Sequence, residues 1–277
     1  MKITAHTIII FRINKKPNNS IINIYNRYFE RVGLDAICLA PYNEDPRPLL
    51  SAMKNLNIPG ALTVAFEHDP RLIDQVDEWD ESARQTKVTG FITQKDGVIK
   101  AYAQGRIGLM NVLQNKVNLD HKKIILFGAG KMARGFLAEI QKRAIPVKEI
   151  EIYNRTLEKA QQISSPYSFV TKTGSQDELN KATGDIFINL TEVGSAWKVD
   201  KEDYVFTQDF VRRFQFIVDV NFNPLLSPLI KLAQENKIPT SPGYETFAYG
   251  TKFCLETILN IKVDINILLE EVKNEFK

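Results

Sequence analysis

The segment IILFGAGKMARGF, Ile124 to Phe136, constrains the fold of this chain more than any other. An apolar run enters Gly128-Ala129-Gly130, and a helix-forming segment begins at once. That order is expected of a buried strand that turns sharply and aims a helix N-terminus at the turn. Gly128-x-Gly130-x-x-Ala133 has the form of a dinucleotide loop, provided that it follows a strand, opens a helix and precedes a second strand. The first glycine permits the tight turn. The second lets a pyrophosphate approach the backbone, and the small third residue lets helix and sheet pack closely. Free N–H groups and partial positive charge at the helix start favour the phosphates, and Lys131 adds to that field. The expected contacts are Gly128, Ala129, Gly130, Lys131, Met132 and Ala133. The bland alternative is a Gly-rich turn that holds nothing.

The following strand ends in Asn154-Arg155-Thr156. An NAD site usually places an Asp or Glu near this point to bind the ribose hydroxyls. A neutral Asn followed by Arg suits a phosphate instead, since guanidinium binds phosphate through two parallel N–H groups. The expected cofactor is therefore NADP, with Asn154, Arg155 and Thr156 at its ribose end. A solvated surface arginine is the competing explanation. A further apolar strand, DIFINLTEVG, delivers Asn189 and Thr191 to what would be the carboxyl edge of the sheet, where open α/β sheets bind ligands. An ordinary strand-to-loop turn would also account for that pair.

The rest of the chain bounds what surrounds the loop. Its 277 residues are 44% hydrophobic and 25% charged, as in ordinary globular proteins, and allow two domains. A net charge of +3 with no basic run argues against nucleic acid as partner. No apolar run approaches a membrane span of roughly 18 residues, and the block at Ile8–Phe11 is too short for a signal peptide core. Two cysteines, Cys38 and Cys254, lie in apolar surroundings and suggest a reducing cytoplasm rather than a disulfide framework. Histidines at 6, 68 and 121 show no metal-ligand spacing, so no metal site is expected.

Strand and helix signals alternate through the first third: TIIIFRI, SIINIYNRYFERVG, AICLAPY, PRPLLSAMKNLNIPG and ALTVAF. DPRLIDQVDEWDESARQ is expected to be helical, and TGFITQKDGVIKAYA to form a hairpin turned by Lys95-Asp96-Gly97. After the helical stretch RIGLMNVLQNKVNL, the alternation resumes around the glycine loop. The fold class expected is α/β. An N-terminal α/β substrate domain over 1–103 would be joined by returning helices over 244–277, with a Rossmann dinucleotide domain over 104–243.

Taken together, these pieces resemble the shikimate dehydrogenase family. Gly128–Ala133, Asn154-Arg155-Thr156 and Asn189-x-Thr191-x-x-Gly194 match its cofactor motifs, and the resemblance adds Gly243, where a family glycine opens the final helical region. DVNFNPLLSPL, from Asp219, is similar to the family's Asp-x-x-Tyr-x-Pro-x-x-Thr segment, with Phe222 and Ser227 as mild replacements. The resemblance implies NADP-dependent hydride transfer between a hydroxyl and a ketone.

The first half departs from the family at most positions that touch substrate. The family's Asn-Val-Thr-x-Pro-x-Lys falls on Leu62 to His68, so His68 stands at the catalytic Lys and Phe66 at the Pro. The family's Asn-Thr-Asp, whose Asp partners that Lys, falls on Ala103-Gln104-Gly105. Thr89 takes an Asn position, Gly250 lies near a Gln position, and the paired serines fall near Asn19 and Ile21. Losing acid–base assistance typically costs about 10²–10⁴ in rate. Each hydroxyl or carboxylate left unpaired costs about 1–3 kcal/mol. Efficient turnover of shikimate is therefore not expected.

Two readings follow. In one, the pocket serves another small, anionic hydroxy or keto acid. His68 would act as acid/base, since imidazole ordinarily titrates near neutrality, Arg106 would hold the anionic group, and Asn19, Tyr102, Gln104 and Tyr244 would supply polar contacts. The competing roles are a surface histidine for His68, a solvated charge for Arg106 and packing for the two tyrosines. In the other reading the chain binds NADP(H) without turning it over, as a sensor or interaction protein. A glutamyl-tRNA-reductase-like chain would share the glycine loop but would need a nucleophilic cysteine. The expected assembly is a monomer or homodimer.

Overall fold

The computed structural model describes residues 3–18, 21–84, 86–196 and 206–276. It divides into two compact units: residues up to Ile107 together with Gly250–Glu275, and Gly108–Tyr249 with Phe276. Both boundaries fall inside helices.

The first unit begins with β1 (Ile8–Arg12), α1 (Ile22–Arg31), β2 (Ala36–Leu39), α2 (Arg47–Asn55) and β3 (Gly60–Leu62). It continues through α3 (Pro70–Ile73), β4 (Glu78–Trp79), α4 (Glu81–Arg84), β5 (Phe91–Lys95) and β6 (Val98–Tyr102), and α5 (Gln104–Lys116) leads onward. The strands form one sheet in the order β2-β1-β3-β5-β6-β4. β2, β1 and β3 are parallel, and β5 runs antiparallel to both its neighbours.

Local chemistry explains these elements. Ile24, Tyr25, Tyr28 and Phe29 bury one face of α1, the stripe that an amphipathic helix turns to a core. Pro46 precedes α2 as its cap residue and Pro48 lies in its first turn, where a missing N–H costs nothing. Asp96 and Gly97 both take positive φ, 51° and 81°. Two such residues between paired strands make the tight turn whose twist matches the hairpin.

Two expectations failed here. The segment 69–85 was expected to be one helix. Instead Asp69 caps the short α3, and Asp77 pairs with Ile99, giving its N–H to that carbonyl at 2.9 Å and accepting from that N–H at 2.7 Å. Pairing with β6 draws the middle of the segment into the sheet. The strand expected over ALTVAF stops at Leu62. Thr63 then turns its hydroxyl to the Thr89 carbonyl at 2.5 Å, and Val64–Phe66 wind into a 3₁₀ turn.

The second unit holds β7 (Lys123–Phe127), α6 (Lys131–Lys142), β8 (Glu149–Asn154), α7 (Leu157–Ser164), β9 (Val170–Ser175) and β10 (Ile186–Asn189). Then come α8 (Gln208–Val211), β11 (Phe216–Asp219), α9 (Pro228–Glu235) and β12 (Thr240–Ser241). α10 (Gly243–Leu259) crosses back to the first unit, where α11 (Ile265–Glu275) packs on α1. Arg27 and Arg31 of α1 grip Glu271 of α11 at 2.6 and 2.8 Å.

All six strands of the second sheet are parallel, in the order β9-β8-β7-β10-β11-β12. Numbered within the unit this is 3-2-1-4-5-6, the doubly wound dinucleotide-binding order. Strand order reverses between β7 and β10. Ile124, Leu126, Ile150, Ile152, Ile186 and Ile188 bury one face against α6 residues Phe136, Leu137 and Ile140. The near-continuous apolar runs of β7 and β10 follow from burial on both faces.

Candidate cofactor site and the N-terminal pocket residues

The crevice at the strand-order reversal lies beyond the carboxyl ends of β7 and β10. Gly128 follows β7 with φ of 114°, a value that side-chain-bearing residues rarely adopt. A Cβ there would sit 3.0 Å from Thr191 Cγ2 and 3.1 Å from the Leu190 carbonyl carbon. The turn from β7 and the turn from β10 thus touch, and only glycine allows it. Gly130 is the N-cap residue of α6 and has no side chain to close the helix start. A Cβ at Gly130 would meet nothing within 4 Å. The first carbonyl-bound N–H of the helix is that of Arg134, bonded to Gly130 O at 3.1 Å. The earlier N–H groups have no partner within the helix, as at any helix start. Open space at a helix start with no capping side chain is what a pyrophosphate needs.

Asn154 holds the loop in place. Its Oδ1 accepts from Ala129 N–H at 3.1 Å, and its Nδ2 donates to Thr156 O at 2.7 Å. Arg155, next along, is exposed and forms no ion pair with a described residue. The protein around Lys131 draws its ammonium below the usual lysine value by desolvation, with Glu192 pulling the other way. These residues fit a dinucleotide with a phosphate at its ribose.

A buried network braces the edge beside this loop; the sequence singled out Asn189 and Thr191 as site residues but not the Asp219 carboxylate that joins them. Asp219 ends β11, and its carboxylate accepts from Ser227 Oγ at 2.5 Å, Asn221 Nδ2 at 2.8 Å, Asn221 N–H at 3.0 Å and Asn189 Nδ2 at 3.1 Å. Asn189 Oδ1 in turn accepts the Thr191 hydroxyl at 2.7 Å. Burial pushes the Asp219 carboxyl up to about 6, against the four donors that favour its charged form. Ser227 also caps α9 through Ile230 N–H. Gly243 opens α10 directly against the Asn221 backbone, where a Cβ would collide with the carbonyl oxygen. Asn189, Thr191 and Gly243 are thus parts of one scaffold. An Asp immediately after an apolar strand, followed by Asn and a Ser-Pro helix start, was the signal available for it.

His68 is mostly exposed, with Nε2 3.9 Å from Glu67 Oε1. Tyr102 stacks on Phe91, with ring centroids 4.7 Å apart, and meets the edge of Phe253. Gln104 opens α5 beside Gly90 and Gly250, and its Oε1 is buried without a bonding partner. Arg106 is buried and donates Nη2 to Glu81 O at 2.8 Å. Tyr244 belongs to the second unit and is half-buried, which raises its phenol above the ordinary value. Asn19 lies outside the described residues. Among the described residues no cluster of His, Cys, Asp and Glu could hold a metal.

Fold and crevice define a class: a two-unit α/β protein whose second unit is built to hold a dinucleotide. The model of the shikimate / quinate 5-dehydrogenase family matches residues 111–222. A shikimate dehydrogenase (NADP(+)) of Geobacillus sp. (strain WCH70) is 26% identical, over 90% of this chain and 93% of its own. A solved shikimate 5-dehydrogenase-like protein superposes with a TM-score of 0.84 at 20% identity, covering 100% of both chains. A shikimate dehydrogenase solved in complex with NADP+ gives 0.83 at 24% identity, covering 100% of this chain and 98% of that one. Over most of its length the chain is thus similar to shikimate dehydrogenases.

Proposed function

We propose that the protein is an NADP-dependent oxidoreductase of this family whose substrate is a small hydroxy or keto acid other than shikimate. The observation that carries the reading is a contrast within the chain. The phosphate loop, its Asn154 brace and the exposed Arg155 are present, while His68 and Gly105 stand where the family pattern has its Lys and Asp. The relative solved in complex with NADP+ supports the cofactor.

In this reading the nicotinamide supplies hydride transfer when bound. The helix start at Lys131 holds the pyrophosphate, and Arg155 fixes the phosphate on the ribose. His68 would take the hydroxyl proton during oxidation and return it during reduction. Its exposure favours one alternative, a protein that binds NADP(H) without turnover, as a sensor or interaction partner. No helix of the described residues is long and apolar enough to cross a membrane, and two free buried cysteines suit a reducing cytoplasm.

The test is a screen of hydroxy acids with NADP+, monitoring NADPH absorbance, in the wild type and in His68→Ala. A substrate whose turnover falls about 10²–10⁴-fold in the variant supports the enzyme reading. Tight NADP+ binding with no turnover of any acid supports the sensor.

A further inference from the structure

Arg12 is a charge in the first unit that the dinucleotide reading leaves unused. It ends β1, at the carboxyl edge of the parallel part of the sheet, and is half-buried. Its Nη1 donates to Asn14 Oδ1 at 2.7 Å, a neutral acceptor. No Asp or Glu of the described residues pairs with it. Arg27, Arg31, Arg47 and Arg71, by contrast, each grip a carboxylate at 2.5–2.8 Å. The ionisable groups that Arg12 faces are Tyr25 on α1 and Cys38 on β2. Neither supplies negative charge at neutral pH, because burial raises the Tyr25 phenol well above its ordinary value and pushes the Cys38 thiol up to about 12. Burial also draws the guanidinium itself down. A cation taken out of water without a partner is costly, and an anion that binds there recovers that cost.

The remaining geometry suits a carboxylate. With Nη1 turned to Asn14, the Nε–Nη2 edge bonds to no described residue. That edge carries two parallel N–H groups, the fork that holds a carboxylate by two bonds. The buried hydroxyls of Tyr25 and Thr251 are close enough to interact, yet neither makes a hydrogen bond of good geometry. We propose that Arg12 is the anion-recognition residue of the first unit, holding a carboxylate through its Nε–Nη2 edge, with the Tyr25 and Thr251 hydroxyls as neighbouring donors. That this carboxylate is the substrate's rests on the function proposed above. The presence of the subsite does not.

The probe is benzoate, with benzamide as its neutral counterpart and inorganic phosphate as a second anion. Each is titrated calorimetrically into the full chain, wild type and Arg12→Gln, with Arg106→Gln for comparison and thermal melts to establish folding. The expected result is benzoate binding at least about tenfold tighter than benzamide, lost in Arg12→Gln and kept in Arg106→Gln. Arg12→Lys, which keeps the charge without the fork, retains a part of the preference and serves if Arg12→Gln does not fold. Equal binding of benzoate and benzamide to the wild type overturns the proposal, as does a preference that survives Arg12→Gln. Phosphate binding tighter than benzoate overturns the carboxylate assignment. NADP+ titrated into the same samples reports on the oxidoreductase reading separately, so either can fail alone.

Discussion

Asn154 Oδ1 accepts the backbone N–H of Ala129 at 3.1 Å. One side chain at the end of β8 therefore fixes the turn that ends β7, and its Nδ2 is spent on Thr156 O. Asn at this position does two jobs. It positions the glycine loop, and it keeps negative charge away from the ground beside Arg155. Asn154→Asp keeps the acceptor, loses the donor and adds that charge. NADP+ affinity is expected to fall about tenfold or more in this variant, with NAD+ affected far less, as read by calorimetry.

Gly128 shows how sharply the loop is specified. Alanine there must hold a φ of 114° and press a methyl against Thr191 and Leu190. Strain of that kind costs about 1–3 kcal/mol. Urea denaturation of Gly128→Ala is expected to show a loss in that range, together with weakened dinucleotide binding. Gly130→Ala is expected to be nearly neutral for stability, because a methyl there meets nothing, while weakening binding as the methyl enters the space left for phosphate.

Asp219 gives a pH signature with a definite sign. Its carboxyl is raised in the folded protein from 3.8 to about 6. The folded state therefore binds more protons than the unfolded state between those values, and this group's contribution to stability falls as pH rises through that window. The change is on the order of 3 kcal/mol, relieved again below about pH 4. Denaturation of wild type and Asp219→Asn at pH 4 and pH 7 is expected to show the wild type gaining on the variant at pH 4. A difference between the two proteins that does not vary with pH contradicts this.

Ser227→Ala removes a donor to that carboxylate and the cap of α9 in one step. A loss of about 1–3 kcal/mol is expected by urea denaturation. The variant also tests whether the network, rather than Asp219 alone, sets the shape of the crevice edge. If so, dinucleotide binding weakens as well.

The second unit was legible where a period or a glycine carried the information. Its central strands are continuous apolar runs because both faces are buried, and the loop after β7 announces itself by three small residues at fixed spacing. β9 was not read, since VTKTGS is polar and mostly unburied and its pairing with β8 is a tertiary fact. β12 is two residues long and offers no pattern. The Asp219 network escaped for a related reason: it joins residues 189, 191, 219, 221 and 227, and no local spacing shows that their polar atoms converge. Arg12 was read only as part of a strand. Its missing counter-charge becomes visible only when its neighbours are known.

The central claim is that the crevice is built for NADP, and one measurement bears on it most directly. The full chain is titrated calorimetrically with NADP+ and with NAD+, in the wild type and in Arg155→Ala. The account predicts that NADP+ binds the wild type more tightly than NAD+. In the variant it should lose about 10–100-fold of that affinity, the worth of a charged phosphate contact, with NAD+ little changed. Equal affinity for the two nucleotides, or NADP+ binding that Arg155→Ala leaves intact, contradicts it.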